Sequence, residues 1–358
     1  MENSLKLFIP GPTHVPDDVM QSLTCPQIGH RTSEFSNLMS TVIEGIQEVL
    51  YTKNHIYLAS NTATGLWEMG VKNSVRKGIL HSVNGSFSAK WATVSKECGF
   101  NTEILNYTWG LGVKVEDVDK HLSTGKYDVF AMVHNETSTG VMSPLKPIAD
   151  LLESKYPEVI WLVDAVSSMA GHKIEVDKLG IDFILSSTQK AWGLPAGFSI
   201  CAVSDQFIEK SKQIPCKGYY FDIGVYEKYY AKMQTPSTPS IPHMYGFKFV
   251  LEKIKKEGLD NRWNRHIQMA ENTRSWAIEH GQGLFPEEGF ESTTITCIKN
   301  NLGWDINEIY ERLLDRGFRM DRGYGKLRGE AFRIAHMGNI MSDDLNEYLQ
   351  NFDEVINV

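Results

Sequence analysis

Between residues 54 and 203 a short apolar segment followed by a helix-period stretch recurs along the chain. The apolar segments are HIYLAS (55–60), GILHSV (78–83), TEILNY (102–107), YDVFAMV (127–133), VIWLVDA (159–165), DFILSS (182–187) and FSICAV (198–203). Each is mostly apolar or β-branched and bounded by Gly, Asn, Asp or Ser, as strands are. Near-continuous apolar character means burial on both faces, which predicts an α/β fold with a mainly parallel central sheet. Segments such as SPLKPIADLLESKY (143–156) supply the covering helices.

The pattern changes after Val203. Residues 217–244 are rich in Tyr and Pro and too proline-dense for regular structure. One long amphipathic helix is expected from near Tyr245 to about Ile278, linking two lobes. The segments FESTTITCIKN, INEIYERLLDRG and AFRIAHMG and a final helix then describe an α+β C-terminal small domain. We therefore divide the chain into a large domain, 1–260, and a small one, 261–358, with residues 1–16 near the active site or the small domain.

Acidic residues number 44 against 36 basic, a net charge of −8, which excludes a bulk attraction to nucleic acid or an anionic membrane. No apolar run approaches the ~20 residues that span a bilayer, and MENSLKLFIPGP lacks a signal peptide's apolar core. The five cysteines are scattered without a C-x-x-C pair, so no zinc ribbon, metal site or disulfide scaffold is expected, and the compartment is read as cytoplasmic.

Several strand ends carry residues suited to chemistry. In SSTQKAWGLPAG (186–197), Lys190 follows a strand and precedes a Gly/Pro turn, where a partly deprotonated amine can form a Schiff base with an aldehyde. Asp164 ends the strand of WLVDAVSS, 26 residues earlier, so the two can sit on neighbouring strand ends. A carboxylate there can hold a proton on a pyridine nitrogen, or cap a helix. Thr62, Ala63 and Thr64 in ASNTATGLWEMG form a small, hydroxyl-rich entry to a helix, either a phosphate site or an ordinary cap. HNETSTG (134–140) offers Asn135, Thr137 and Ser138 to a polar ligand edge, and Phe87 can provide an aromatic platform. Arg333 lies mid-strand in FRIAHMG and needs an anionic partner, substrate or structural.

The order of these elements, with PGPTHVP and GHRTSEF before them, resembles the class V aminotransferases. These are pyridoxal 5′-phosphate (PLP)-dependent enzymes of fold type I, and the alanine–glyoxylate/serine–pyruvate aminotransferase group is the nearest likeness. The resemblance runs from about Phe8 to Gly338. It implies that Lys190 carries the cofactor and that Asp164 pairs with its ring nitrogen, with Val166 and Phe87 on its two faces. It further implies Thr62, Ala63, Thr64 and Gln189 at the phosphate, Thr137 or Ser138 at the ring hydroxyl, and Arg333 at the substrate α-carboxylate. Thr238 would reach the phosphate of a neighbouring subunit, with Thr235 nearby, which implies a homodimer with shared active sites. Asn61 departs from the family's glycine-richer phosphate turn.

The expected reaction is transamination between a small amino acid, alanine or serine, and glyoxylate or pyruvate. Phosphoserine aminotransferase is the alternative, because Arg31 in GHRTSEF could hold a substrate phosphate; a structural tie of the N-terminal segment to the large domain is the favoured role, since Thr32, Ser33 and Glu34 look like the start of a capped helix. A desulfurase would need a flexible nucleophilic cysteine, whereas Cys297 lies in an expected strand. A non-catalytic scaffold would not need both Lys190 and Asp164.

Overall fold

The computed structural model describes residues 5–356; residues 1–4 of the N-terminal segment and 357–358 of the small domain lie outside the described residues. The N-terminal strand β1 is Lys6–Leu7. All seven expected segments form strands of one sheet: β2 (His55–Ala59), β3 (Ile79–Val83), β4 (Thr102–Asn106), β5 (Val129–Val133), β6 (Ile160–Asp164), β7 (Phe183–Ser187) and β8 (Ser199–Val203). Their order is β2-β8-β7-β6-β5-β3-β4, and only β8 runs antiparallel to its neighbours. Every residue of β3, β5, β6, β7 and β8 is buried, as continuous apolar runs require.

Alternate side chains enter two cores. Ile56, Phe130, Trp161 and Ile184 face helices α1 (Ser33–Leu50) and, later in the chain, α4 (Ile241–Glu257). Tyr57, Val129, Leu162 and Phe183 face α2 (Ala63–Ser74) and α3 (Ser86–Glu97). Because β2, β5, β6 and β7 run the same way, the loops holding Thr62, Thr137, Asp164 and Lys190 leave the same sheet edge.

The expected single long helix is two. α4 ends at Gly258, whose φ of +84° a β-carbon would strain, and a separate helix, α5 (Leu259–Glu279), follows it. The apolar period continues across the break, so periodicity alone does not reveal it. α4 also starts earlier than Tyr245, because Pro242 fits a first turn, where no N–H is needed. The Tyr/Pro-rich stretch is likewise not wholly irregular: Ile223–Tyr230 is helical, capped by Asp222 and anchored by buried Ile223 and Tyr226.

The expected domain boundary at 260/261 falls in the first turn of α5. Beyond it, β9 (Gly283–Leu284), β10 (Ile295–Lys299) and β12 (Ala331–Ala335) form an antiparallel sheet, while β11 (Phe318–Arg319) pairs in parallel with β1. Phe8 stacks on Tyr348 of the last helix, α6 (Ser342–Ile356), at 4.0 Å, tying the N-terminal segment to this lobe. Among the described residues no helix is long and apolar enough to cross a membrane.

Candidate active site

Lys190 sits three residues past β7. Its loop is pinned by Thr188, whose hydroxyl donates to Pro195 O at 2.6 Å, and by Thr13, which donates to Lys190 O at 3.0 Å. The Nζ donates to Pro10 O at 2.6 Å, and a β-carbon on Gly11 would lie 2.6 Å from it, so the N-terminal segment closes over the amine only with glycine there. Burial, reinforced by the Arg333 charge, lowers the Lys190 pKa to about 8. That leaves an appreciable neutral fraction near neutral pH, as a nucleophilic amine needs.

Asp164 is buried at the end of β6. Trp67 Nε1 donates to its Oδ2 at 2.7 Å and Val166 N to its Oδ1 at 2.8 Å. No cation among the described residues lies within ion-pair distance, and burial pushes its pKa up to about 6. A carboxylate held out of water without a cation is suited to receive a protonated ring nitrogen. Thr62 precedes α2 without a side-chain cap; Gly65 N donates to Thr62 O at 2.9 Å, and the amides of Ala63 and Thr64 remain available to an anion. Asn61 turns inward: its carboxamide oxygen accepts from Ser199, while its buried Nδ2 has no partner among the described residues. A half-buried lysine with a lowered pKa, a lone buried carboxylate and an uncapped helix entry on one sheet edge together fit a PLP molecule.

Phe87 is half-buried and stacks on Tyr324 at 5.2 Å, while Val166 and Gln189 are also partly exposed. Thr137 and Ser138 are buried with hydroxyls already engaged. Thr137 meets Ser167 at 2.5 Å, and Ser138 donates to Glu136 at 2.6 Å while accepting from Ser86 N at 2.9 Å. Glu136 is a residue the sequence reading missed. It accepts from the amides of Phe87 and Ser88 and the Ser88 hydroxyl, holding the entry to α3 against the HNETSTG turn. Asn135 instead donates to Thr294 at 2.7 Å.

Arg333 is buried on β12 and makes a bidentate pair with Asp321, Nε to Oδ1 at 2.7 Å and Nη2 to Oδ2 at 2.8 Å. Its Nη1 donates to Thr137 O at 2.7 Å, which joins the small lobe to the turn beside Lys190. The sequence demanded an anion for Arg333 without identifying it; Asp321 is the one.

Arg31 donates to Thr235 O at 2.6 Å and Pro236 O at 3.2 Å and lies over the Tyr229 ring at 4.7 Å, contacts that agree with its reading as a structural tie. It fastens the start of α1, capped by Thr32, to the Tyr/Pro-rich loop. In that loop Thr235 is buried with its hydroxyl on Ser237 O at 2.7 Å, and Thr238 is exposed. Cys297 is buried in β10 with its thiol pushed up to about 12 by burial, the opposite of a mobile nucleophile.

Residues 7–282 match the model of the family described as Aminotransferase class-V. An uncharacterised aminotransferase of Methanocaldococcus jannaschii is 35% identical over 340 residues, 93% of this chain and 87% of that protein. The serine–glyoxylate aminotransferase of Arabidopsis thaliana is 30% identical over 347 residues, 93% of this chain and 86% of that protein. The crystal structure of an alanine–glyoxylate aminotransferase from Nostoc sp. superposes with a TM-score of 0.92 at 27% identity, over 99% of this chain and 95% of that one.

Proposed function

The chain belongs to the class-V aminotransferases, PLP-dependent enzymes of fold type I, and on that premise we propose that it moves an amino group from alanine or serine to glyoxylate or pyruvate. The observation that carries this reading is the pairing of Lys190, with its lowered pKa, and the unpaired buried carboxylate of Asp164 on adjacent strand ends. The serine–glyoxylate and alanine–glyoxylate specificities of the relatives support the choice of substrates.

In this reading Lys190 holds the cofactor, Thr62, Ala63, Thr64 and Gln189 hold its phosphate, and Val166 and Phe87 flank its ring. When bound, PLP supplies an electron sink that makes the substrate Cα proton acidic. Asp164 keeps the ring nitrogen protonated, and Trp67 and Val166 fix the plane of that carboxylate. The Lys190 amine would serve as the general base, taking the proton from the substrate Cα and delivering it to the carbon on the far side of the substrate nitrogen. Arg333 orients the α-carboxylate so that the Cα–H bond faces that amine. Thr137 and Ser138 act through the turn they brace, since their hydroxyls are already occupied.

Phosphoserine is disfavoured as donor, because a substrate phosphate needs a cation of its own and Arg31 is spent on the Thr235–Pro236 carbonyls. Steady-state assays with alanine, serine, aspartate and phosphoserine against glyoxylate, pyruvate and 2-oxoglutarate test the proposal. Alanine or serine with glyoxylate or pyruvate should give the highest kcat/KM; turnover of phosphoserine alone would replace it.

The active unit is a homodimer in this reading. Tyr219 and Tyr220 are 65% and 43% exposed and Thr238 is exposed as well, an aromatic and polar surface suited to a second copy, with Thr238 completing the neighbour's phosphate site. Specific activity should fall with dilution as sedimentation shows dissociation; a fully active monomer would rule this out. All five cysteines are unpaired, which supports a cytoplasmic setting.

A further inference from the structure

Arg333 reaches the site already paired. A guanidinium has five N–H bonds. Nε and one hydrogen of Nη2 are taken by the two oxygens of Asp321, and one hydrogen of Nη1 by Thr137 O. Two hydrogens remain, one on each terminal nitrogen. Asp321 is itself fixed, because the Gly323 amide donates to its Oδ1 at 2.9 Å and Gly323 has a φ of +89° that permits the tight return toward β12. Side-chain exposure of the pair is 3% and 17%, so little water screens it.

We propose that Asp321 is a positioning residue, holding Arg333 by one edge and cancelling its charge so that a substrate carboxylate is oriented but only weakly held. This rests on Arg333 being the carboxylate clamp. An approaching carboxylate then meets a neutral pair and the nearby Asp321 charge rather than a free cation. Binding comes from two directed hydrogen bonds, with the net Coulomb attraction largely removed. Weak ground-state binding with fixed orientation keeps the clamp from holding the substrate more tightly than the transition state.

The test is the dissociation constant of propionate, alanine without its amine, for the holoenzyme, measured by ligand-observed NMR. Propionamide serves as the uncharged control. Asp321→Asn keeps an acceptor for Nε and removes the charge. It should tighten propionate at least tenfold and leave propionamide within twofold, with KM for both alanine and pyruvate falling and kcat not rising. Asp321→Ser, smaller and uncharged, should also tighten propionate. Unchanged or weaker propionate binding in folded variants overturns the proposal, as does failure of both to fold, since the pair would then serve the fold alone. Arg333→Ala separates the two ideas. If it leaves propionate binding intact, the clamp itself is wrong. If it abolishes binding while Asp321→Asn changes nothing, the role of Asp321 alone is wrong.

Discussion

Lys190→Ala is expected to lose at least about 10⁴-fold in turnover, because one substitution removes both the covalent anchor and the general base, the base alone supplying about 10²–10⁴-fold. The loss should fall on kcat, since the phosphate turn and Arg333 remain to bind cofactor and substrate. Stability should change little. Among the described residues the amine has one polar partner, Pro10 O, and losing one such hydrogen bond costs on the order of 1 kcal/mol. The cofactor should stay associated without the absorbance of its lysine-bound form. A folded variant with wild-type absorbance and rate would remove Lys190 from the mechanism.

Arg333→Ala is expected to have the second largest effect, weakening every carboxylate substrate by about 2–5 kcal/mol in kcat/KM. Monocarboxylate donors and acceptors should suffer alike, because each presents the same group to the clamp. The same change strands Asp321 as a half-buried carboxylate without its cation and releases Thr137 O, so thermal stability should fall as well. The double variant Arg333→Ala with Asp321→Ala separates these consequences. It should recover much of the melting temperature while kcat/KM remains low. Recovery of both would mean that Arg333 matters only to the fold.

Most of the sheet was legible because buried parallel strands have a distinctive composition, and seven such runs in succession leave few alternatives. The strand ends also revealed Lys190 and Asp164, since ionisable residues directly after apolar runs stand out. Gly258 was not legible, because the apolar stripe of α4 continues in phase into α5 and only the positive φ marks the break. Helix Ile223–Tyr230 was hidden by its surroundings: Pro236, Pro239 and Pro242 coloured the whole stretch, although none lies within the helix.

The site's polar partners were the least readable. Arg333 plainly needed an anion, but Asp321 comes to it through a glycine-rich reversal twelve residues upstream, and composition cannot close such a loop. Glu136 sat in full view within HNETSTG. Its use as a cap for α3 depends on β5 and β3 lying side by side, a fact of topology rather than of local sequence. Arg31 shows the opposite case: its residue type invited a ligand role, and only the fold reveals the carbonyls that occupy it.

The central claim is that this site transfers an amino group between small α-amino and 2-oxo acids through Lys190. The most direct measurement follows the absorbance of the purified holoenzyme through both half-reactions in turn. Adding alanine or serine alone should bleach the band of the lysine-bound cofactor and release one equivalent of 2-oxo acid per site. Adding glyoxylate after removal of the donor should restore the band and yield one equivalent of glycine. A band that neither alanine nor serine alters, in an enzyme carrying its full complement of PLP, would contradict the account.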